Sequence, residues 1–171
     1  MSYIKRKSQK QEQRVAEQLG GKVQLASGAI WFAKADGRTG TLEAGQFNSG
    51  DFLIENKFTD AGKYSLKLTI WDKIAKEALR DNLRMPLLQI DIANYVQLAV
   101  LDKNDYIGLG LNEHFRMVGG IINAKSKSCM LHGDQMSGIF REPNRAYGVE
   151  FSATNQHLVI LDMNELANYI D

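Results

Sequence analysis

Apolar residues recur along the chain with two alternating periods. Val15, Ala16 and Leu19 form a stripe at helical spacing, predicting a first helix over 8–19 that Gly20-Gly21 closes. A short strand is expected at 22–26, Ser27-Gly28-Ala29 breaks it, and 30–35 is a second apolar run. From Gly37 to Gly50 the chain is rich in Gly, Thr, Asn and Ser and reads as mostly loop. Over 52–58 the period becomes two: Phe52, Ile54 and Asn56 alternate with Leu53, Glu55 and Lys57, as in a strand. The most regular helix is expected over 65–82, with Ile70, Trp71, Ile74, Ala75 and Ala78 on its apolar face and Ser65 as its N-cap. Asp72 precedes Lys76 there at the favourable spacing for an ion pair. Two strand-like runs, 87–92 and 95–101, follow across an Ala-Asn turn. Strand, helix, strand in that order predicts an α/β core.

Beyond it, 102–111 reads as a short helix or loop, 128–132, 147–153 and 157–161 as strands, and 164–170 as a last helix. The stretches 97–102 and 157–162 look alike, each an apolar run ending in Asp before a short helical pattern. They read as two ordinary strand–helix turns rather than a repeat. No low-complexity linker divides the chain, so one domain is expected over 1–171, with a core at about 8–101 and a β-rich C-terminal extension at about 102–171.

Composition narrows the class. The 171 residues are 44% hydrophobic and 24% charged, ordinary for a globular protein with a real core. The formal net charge is +1, so attraction to a polyanion has to come from local clusters. Lys5-Arg6-Lys7 is one; by charge alone it reads as a solvated end. The single cysteine, Cys129, excludes an intramolecular disulfide framework and suits a reducing compartment. No secretory signal or membrane-spanning run is expected, and a cytoplasmic location is.

The sharpest chemical signal is Glu55-Asn56-Lys57. Residues i and i+2 of a strand share a face, so a carboxylate and an ammonium stand side by side on a stiff element with apolar neighbours. A buried charge needs a partner or a metal. Taken alone, the pair reads first as a structural ion pair. Other candidates are weaker. Cys129 and His132 lack a second ligand pair for zinc. Gly108-Leu109-Gly110 lacks the strand-to-helix setting of a phosphate loop. Lys125, Lys127 and the loop from Arg141 to Arg145 read equally as solvated surface or as phosphate contacts.

The order of these pieces resembles the PD-(D/E)xK nucleases, in particular Holliday-junction-resolvase-like enzymes, including those encoded by phages. The matching segments are Glu12-Gln13-Arg14-Val15-Ala16 with Leu19-Gly20-Gly21, Ser27-Gly28-Ala29, Lys34-Ala35-Asp36, Phe52-Leu53-Ile54-Glu55-Asn56-Lys57, and Tyr64-Ser65-Leu66-Lys67 leading into the helix. The resemblance covers roughly residues 8–92 and lies in order and spacing rather than in any one motif. Alanine stands where a Lys-Gly-Asp is common in the family, and the insert up to Glu55 is long.

The resemblance implies a restriction-endonuclease-like core with a mixed β-sheet flanked by helices. It implies hydrolysis of DNA phosphodiester bonds with Mg²⁺, or Mn²⁺ in its place, held by Glu12, Asp36 and Glu55, with Lys57 orienting or activating the attacking water. It implies DNA contacts from Lys5, Arg6, Lys7, Ser27 and Lys67, a homodimer, a role in DNA recombination, and a host cytoplasm if the source is a phage. Asp51 is the alternative acidic residue: it shares a strand face with Glu55, but their Cα atoms would stand roughly 13 Å apart on a straight strand, too far to share one ion. Asp36, at the end of the preceding run, is favoured, and both stay open. On the first helix Glu12 falls within about 60° of Val15, Ala16 and Leu19, whereas Glu17 lies about 140° from Glu12, so Glu12 is the helix carboxylate of choice. Its bland reading is a first-turn Glu that suits the helix dipole. Two rival functions remain: a general DNA nickase or end-processing nuclease, and a non-catalytic DNA-binding module.

Overall fold

The computed structural model describes residues 22–23, 37–38, 52–80, 84–118, 122–124 and 126–170. The first helix, expected over 8–19, the Ser27 turn and the 30–35 run lie outside them. In chain order the elements are β1 (Lys22–Val23), β2 (Gly37–Arg38), β3 (Phe52–Thr59), β4 (Lys63–Lys67), α1 (Leu68–Arg80), β5 (Met85–Ile92), β6 (Val96–Asp102), α2 (Lys103–Gly108), α3 (Leu111–His114), β7 (Arg116–Met117), β8 (Ile122–Ala124), β9 (Ser128–His132), α4 (Gly133–Ile139), β10 (Arg145–Phe151), β11 (Gln156–Asp162) and α5 (Met163–Ile170).

The main sheet runs β1-β2-β3-β5-β6-β11-β10-β7, with β8 also on β10. It is mixed: β3 and β5 are parallel, joined by the crossover through β4 and α1, while β5, β6, β11 and β10 pair antiparallel. Residues after 102 therefore do not stand apart as an extension; β11 and β10 continue the sheet from β6. A second sheet is the two-stranded antiparallel ribbon β4-β9.

Alternation along the strands gives the sheet two apolar faces. Phe52, Ile54, Leu87, Ala99, Leu101, Val159 and Leu161 pack with Tyr106, Leu111, Phe115, Met163 and Leu166 of the α2, α3 and α5 layer. On the other face Leu88, Ile90, Leu98, Val100 and Ile160 pack with Trp71 and Ile74 of α1, Met136 of α4, and Leu66 and Leu131 of the ribbon. Pro86 lies in β5 opposite Leu53 of β3, before the β6 ladder begins at Leu88, where its missing N–H breaks no antiparallel bond. The expected Ala-Asn turn between β5 and β6 is present, with Asn94 in the left-handed region at φ 67°.

One expectation needs correction. The long helix starts at Leu68, not 65, and Ser65 is no N-cap: residues 63–67 are a strand. The cause is non-local, a five-residue antiparallel ladder from Lys63↔His132 to Lys67↔Ser128 that outweighs local helix preference. The 102–111 stretch holds α2, capped at its start by Asp102, and leads through Gly110 into α3. Asp102 accepts the Asn104 N–H at 2.8 Å, and Asp162 accepts those of Asn164 at 2.9 Å and Glu165 at 3.1 Å. These are the two look-alike stretches, seen as ordinary strand–helix turns on paired antiparallel strands. The α4 helix and the short strands β7 and β8 carry no period long enough to read in the sequence.

At the start of α4, Gly133 donates its N–H to the Gly62 carbonyl at 2.8 Å and faces the ring of Tyr95. A Cβ at 133 would stand 2.7 Å from Tyr95 Cγ and 2.9 Å from the Gly62 oxygen, whereas one at Gly138 meets nothing within 4 Å. Gly133→Ala is therefore expected to cost about 1–3 kcal/mol, and Gly138→Ala, in the same helix, to be neutral or to stabilise by up to about 1 kcal/mol, read from urea midpoints.

Asp105, in the first turn of α2, is pushed up to about 6 by burial and then by Asp102. Between the ordinary carboxylate range and pH 6 the folded chain keeps a proton that the unfolded chain has released, so this group's stabilisation is lost as pH rises through that window. Asp105→Asn is expected to be more stable than the parent at pH 7, with the difference vanishing towards pH 4, measured by thermal melts across pH.

Candidate active site

Glu55 and Lys57 lie on β3, between β2 on one side and β5 on the other. Their cross-strand neighbours on β5 are Leu88 and Ile90, both fully buried. Toward the start of the strand, Leu53 on the same face packs against Ala78 of α1. Two charges thus stand on a strip otherwise made of aliphatic side chains. Glu55 is 7% exposed, and the Lys57 side chain 34%. A carboxylate so far from water needs a compensating charge. Lys57 supplies one: its Nζ donates to Glu55 Oε1 at 3.0 Å. The Lys57 side chain keeps about a third of its surface exposed while Glu55 is almost closed off, so the pair is the more accessible on the Lys57 side.

A third group joins them. Tyr64 stands on the face of β4 that also carries Leu66, turned toward the core. Burial, and then the Glu55 carboxylate, push its phenol up to about 12. Its hydroxyl oxygen is buried with no hydrogen-bond partner among the described residues. The site therefore contains a carboxylate, an ammonium and a neutral hydroxyl whose proton has no acceptor among the described residues. Tyr64 was hidden in the sequence because 63–67 reads as the run-in to a helix; the signal available was the alternation of Tyr64 and Leu66 with Lys63, Ser65 and Lys67.

Of the residues the sequence singled out, Glu55 and Lys57 come together. Lys67 lies exposed on β4, three residues from Tyr64 and on the opposite face of the ribbon. Glu12, Asp36, Asp51, Lys5, Arg6, Lys7 and Ser27 lie outside the described residues. Gly37, which follows Asp36 in the chain, pairs with Ile54, the neighbour of Glu55. Among the described residues no three His, Cys, Asp or Glu side chains group as a metal site, and no helix is long and apolar enough to cross a membrane. A cleft of about 460 Å³, lined by Asp91, Tyr95, Gln97, Arg141 and Asp162 among others, opens elsewhere; neither Glu55 nor Lys57 lines it.

The chain matches no protein-family model, and no curated protein shows significant similarity to it.

The lone hydroxyl sets up a direct test. Tyr64→Phe removes a buried polar atom without changing shape, and is expected to raise stability by about 1 kcal/mol in urea unfolding. A loss of stability instead would mean that the hydroxyl is satisfied in solution.

Proposed function

We propose that this protein is a metal-dependent endodeoxyribonuclease with a restriction-endonuclease-like core, acting as a homodimer on branched DNA such as a Holliday junction. The observation that carries the reading is the Glu55–Lys57 pair: a carboxylate 7% exposed and an ammonium 3.0 Å from it, fixed on a strand inside a mixed sheet. A purely structural ion pair is a weak reason to place a charge there, since apolar residues of similar size would cost less desolvation. The resemblance of the surrounding segments to Holliday-junction-resolvase-like enzymes supplies the choice of DNA and of a dimer.

Hydrolysis of a phosphodiester requires a water oxygen to attack phosphorus while the bond to the leaving oxygen breaks. The attacking water gives up a proton, and the leaving oxygen gains one. Lys57, with its ammonium at the open side of the pair, is the group to orient that water and to stabilise the negative charge developing on the phosphate. Glu55 holds Lys57 in place through the 3.0 Å hydrogen bond. The Tyr64 hydroxyl is a proton donor in the same neighbourhood.

The donor chemistry at Glu55 is a carboxylate with no His or Cys grouped with it among the described residues, which suits Mg²⁺ or Mn²⁺ rather than zinc. Glu55 would hold the ion together with Asp36, or Asp51 in its place, and Glu12 from the first helix. When bound, the ion supplies positive charge to the phosphate oxygens and lowers the pKa of the attacking water.

The reading is tested on a labelled panel of four-way junction, flap, nicked duplex, linear duplex and single strand. The wild type is expected to nick the junction in pairs with Mg²⁺ or Mn²⁺, to bind without cutting in Ca²⁺, and to be silent in EDTA. Glu55→Gln and Lys57→Ala are each expected to lower the cleavage rate by about 100-fold or more while the variants stay folded and still bind DNA. Undiminished cleavage by either variant, or cleavage in EDTA, would remove the proposal. Equal cutting of linear duplex by a monomer would move it to a general nuclease.

A further inference from the structure

The ribbon β4-β9 has two unlike faces. Tyr64, Leu66, Cys129 and Leu131 turn inward onto the core. Outward stand Lys63 opposite His132, Ser65 opposite Met130, and Lys67 opposite Ser128, with exposed Lys127 leading into β9. Neither 63–67 nor 126–132 contains an acidic residue; the flanking Asp60 and Asp134 lie beyond the ends of the strands. In a chain of 21 basic and 20 acidic residues, that is a local excess of one sign. Lys63 facing His132 places two basic side chains directly opposite one another, an arrangement that destabilises a ladder whenever both are charged. Among the described residues none of Lys63, Lys67 and Lys127 makes an ion pair. The face thus holds cations that no ion pair compensates among the described residues.

We infer that this outer face is a docking surface for the sugar–phosphate backbone of duplex DNA. The inference rests on the nuclease reading for its partner but on separate residues for its argument. A two-stranded ribbon is narrow enough to lie in a major groove about 12 Å wide. Lys63 and Lys67 stand roughly 13 Å apart along the strand, so they meet different phosphates rather than one. Ser65, Ser126 and Ser128 add hydroxyls between the cations, a backbone-reading composition rather than a base-reading one. Met130, 43% exposed, is the one large apolar side chain on this face, too little apolar surface to seat in a membrane. The position is apt: only the Asp60–Gly62 turn separates β4 from β3, and Tyr64 on the inner face feels the Glu55 carboxylate. A duplex held on the outside of the ribbon is thereby tied through a short turn to the strand that carries Glu55 and Lys57.

The test measures binding of a labelled linear duplex and a four-way junction, in Ca²⁺, between about 50 and 200 mM salt. The full chain is compared with its Lys63→Ala/Lys67→Ala/Lys127→Ala and Lys63→Arg/Lys67→Arg/Lys127→Arg variants, melting temperatures confirming the fold. The alanine variant is expected to bind at least about tenfold more weakly and to lose about 2–3 from the salt slope, near 0.9 per phosphate contact, while the arginine variant keeps both. An unchanged slope and affinity in the alanine variant overturns the inference, even where the wild type cuts DNA. A wild type that binds through these lysines but never cuts in Mg²⁺ overturns the nuclease reading and keeps the docking surface. A wild type that binds no DNA, or whose lysine-dependent binding is stronger to an acidic peptide or to vesicles containing phosphatidylserine, overturns the docking surface.

Discussion

The parallel ladder between β3 and β5 is the constraint on which the rest of the structure depends. It runs through eight residue pairs, from Phe52↔Met85 to Thr59↔Ile92, and it makes β3 an interior strand with β2 along its other edge. The whole length of β3 is committed to β5 on one edge, and Leu53 and Ile54 pair with β2 on the other, so its side chains cannot slide by one residue without turning every apolar position to the wrong face. That rigidity keeps Glu55 and Lys57 side by side in a setting where a charge is costly. The same ladder requires a crossover connection, and the chain provides it with β4 and α1. The candidate site's strand and the crossover through β4 and α1 both follow from one strand pairing.

Its electrostatics are asymmetric in a useful way. Glu55 is shut off from water, and Lys57 is a third exposed. A carboxylate so placed keeps the ammonium oriented through the 3.0 Å hydrogen bond. Tyr64 adds a hydroxyl that burial keeps protonated. On its outer face the ribbon that carries Tyr64 is rich in lysine. Inner and outer faces of one five-residue strand thus separate the buried Tyr64 and Leu66 from the exposed Lys63 and Lys67, a consequence of the two-residue period.

Much of the α/β core was legible because its periods are long and unmixed. The strand at Phe52–Thr59, the helix through Trp71, Ile74 and Ala78, and the hairpin across Asn94 each carry several turns or alternations of pattern. The strand β4 was not legible. Its five residues run straight into a strong helix, and what makes them a strand is a partner more than sixty positions away. The same holds for β7 and β8, which exist only as short additions to the edge of β10.

The sequence by itself determined that Glu55 and Lys57 share a face, because strand geometry ties residue i to i+2 wherever the strand lies. It also determined the strand–helix–strand order, since each of those elements announces itself by local periodicity. Only the tertiary structure decided how deeply the carboxylate is buried, that Tyr64 turns onto the core from the inner face of the ribbon, and that Lys63 and Lys67 share its outer face. Each of these depends on which strands meet, and pairing between distant segments is set by packing and backbone hydrogen bonds that no local pattern encodes.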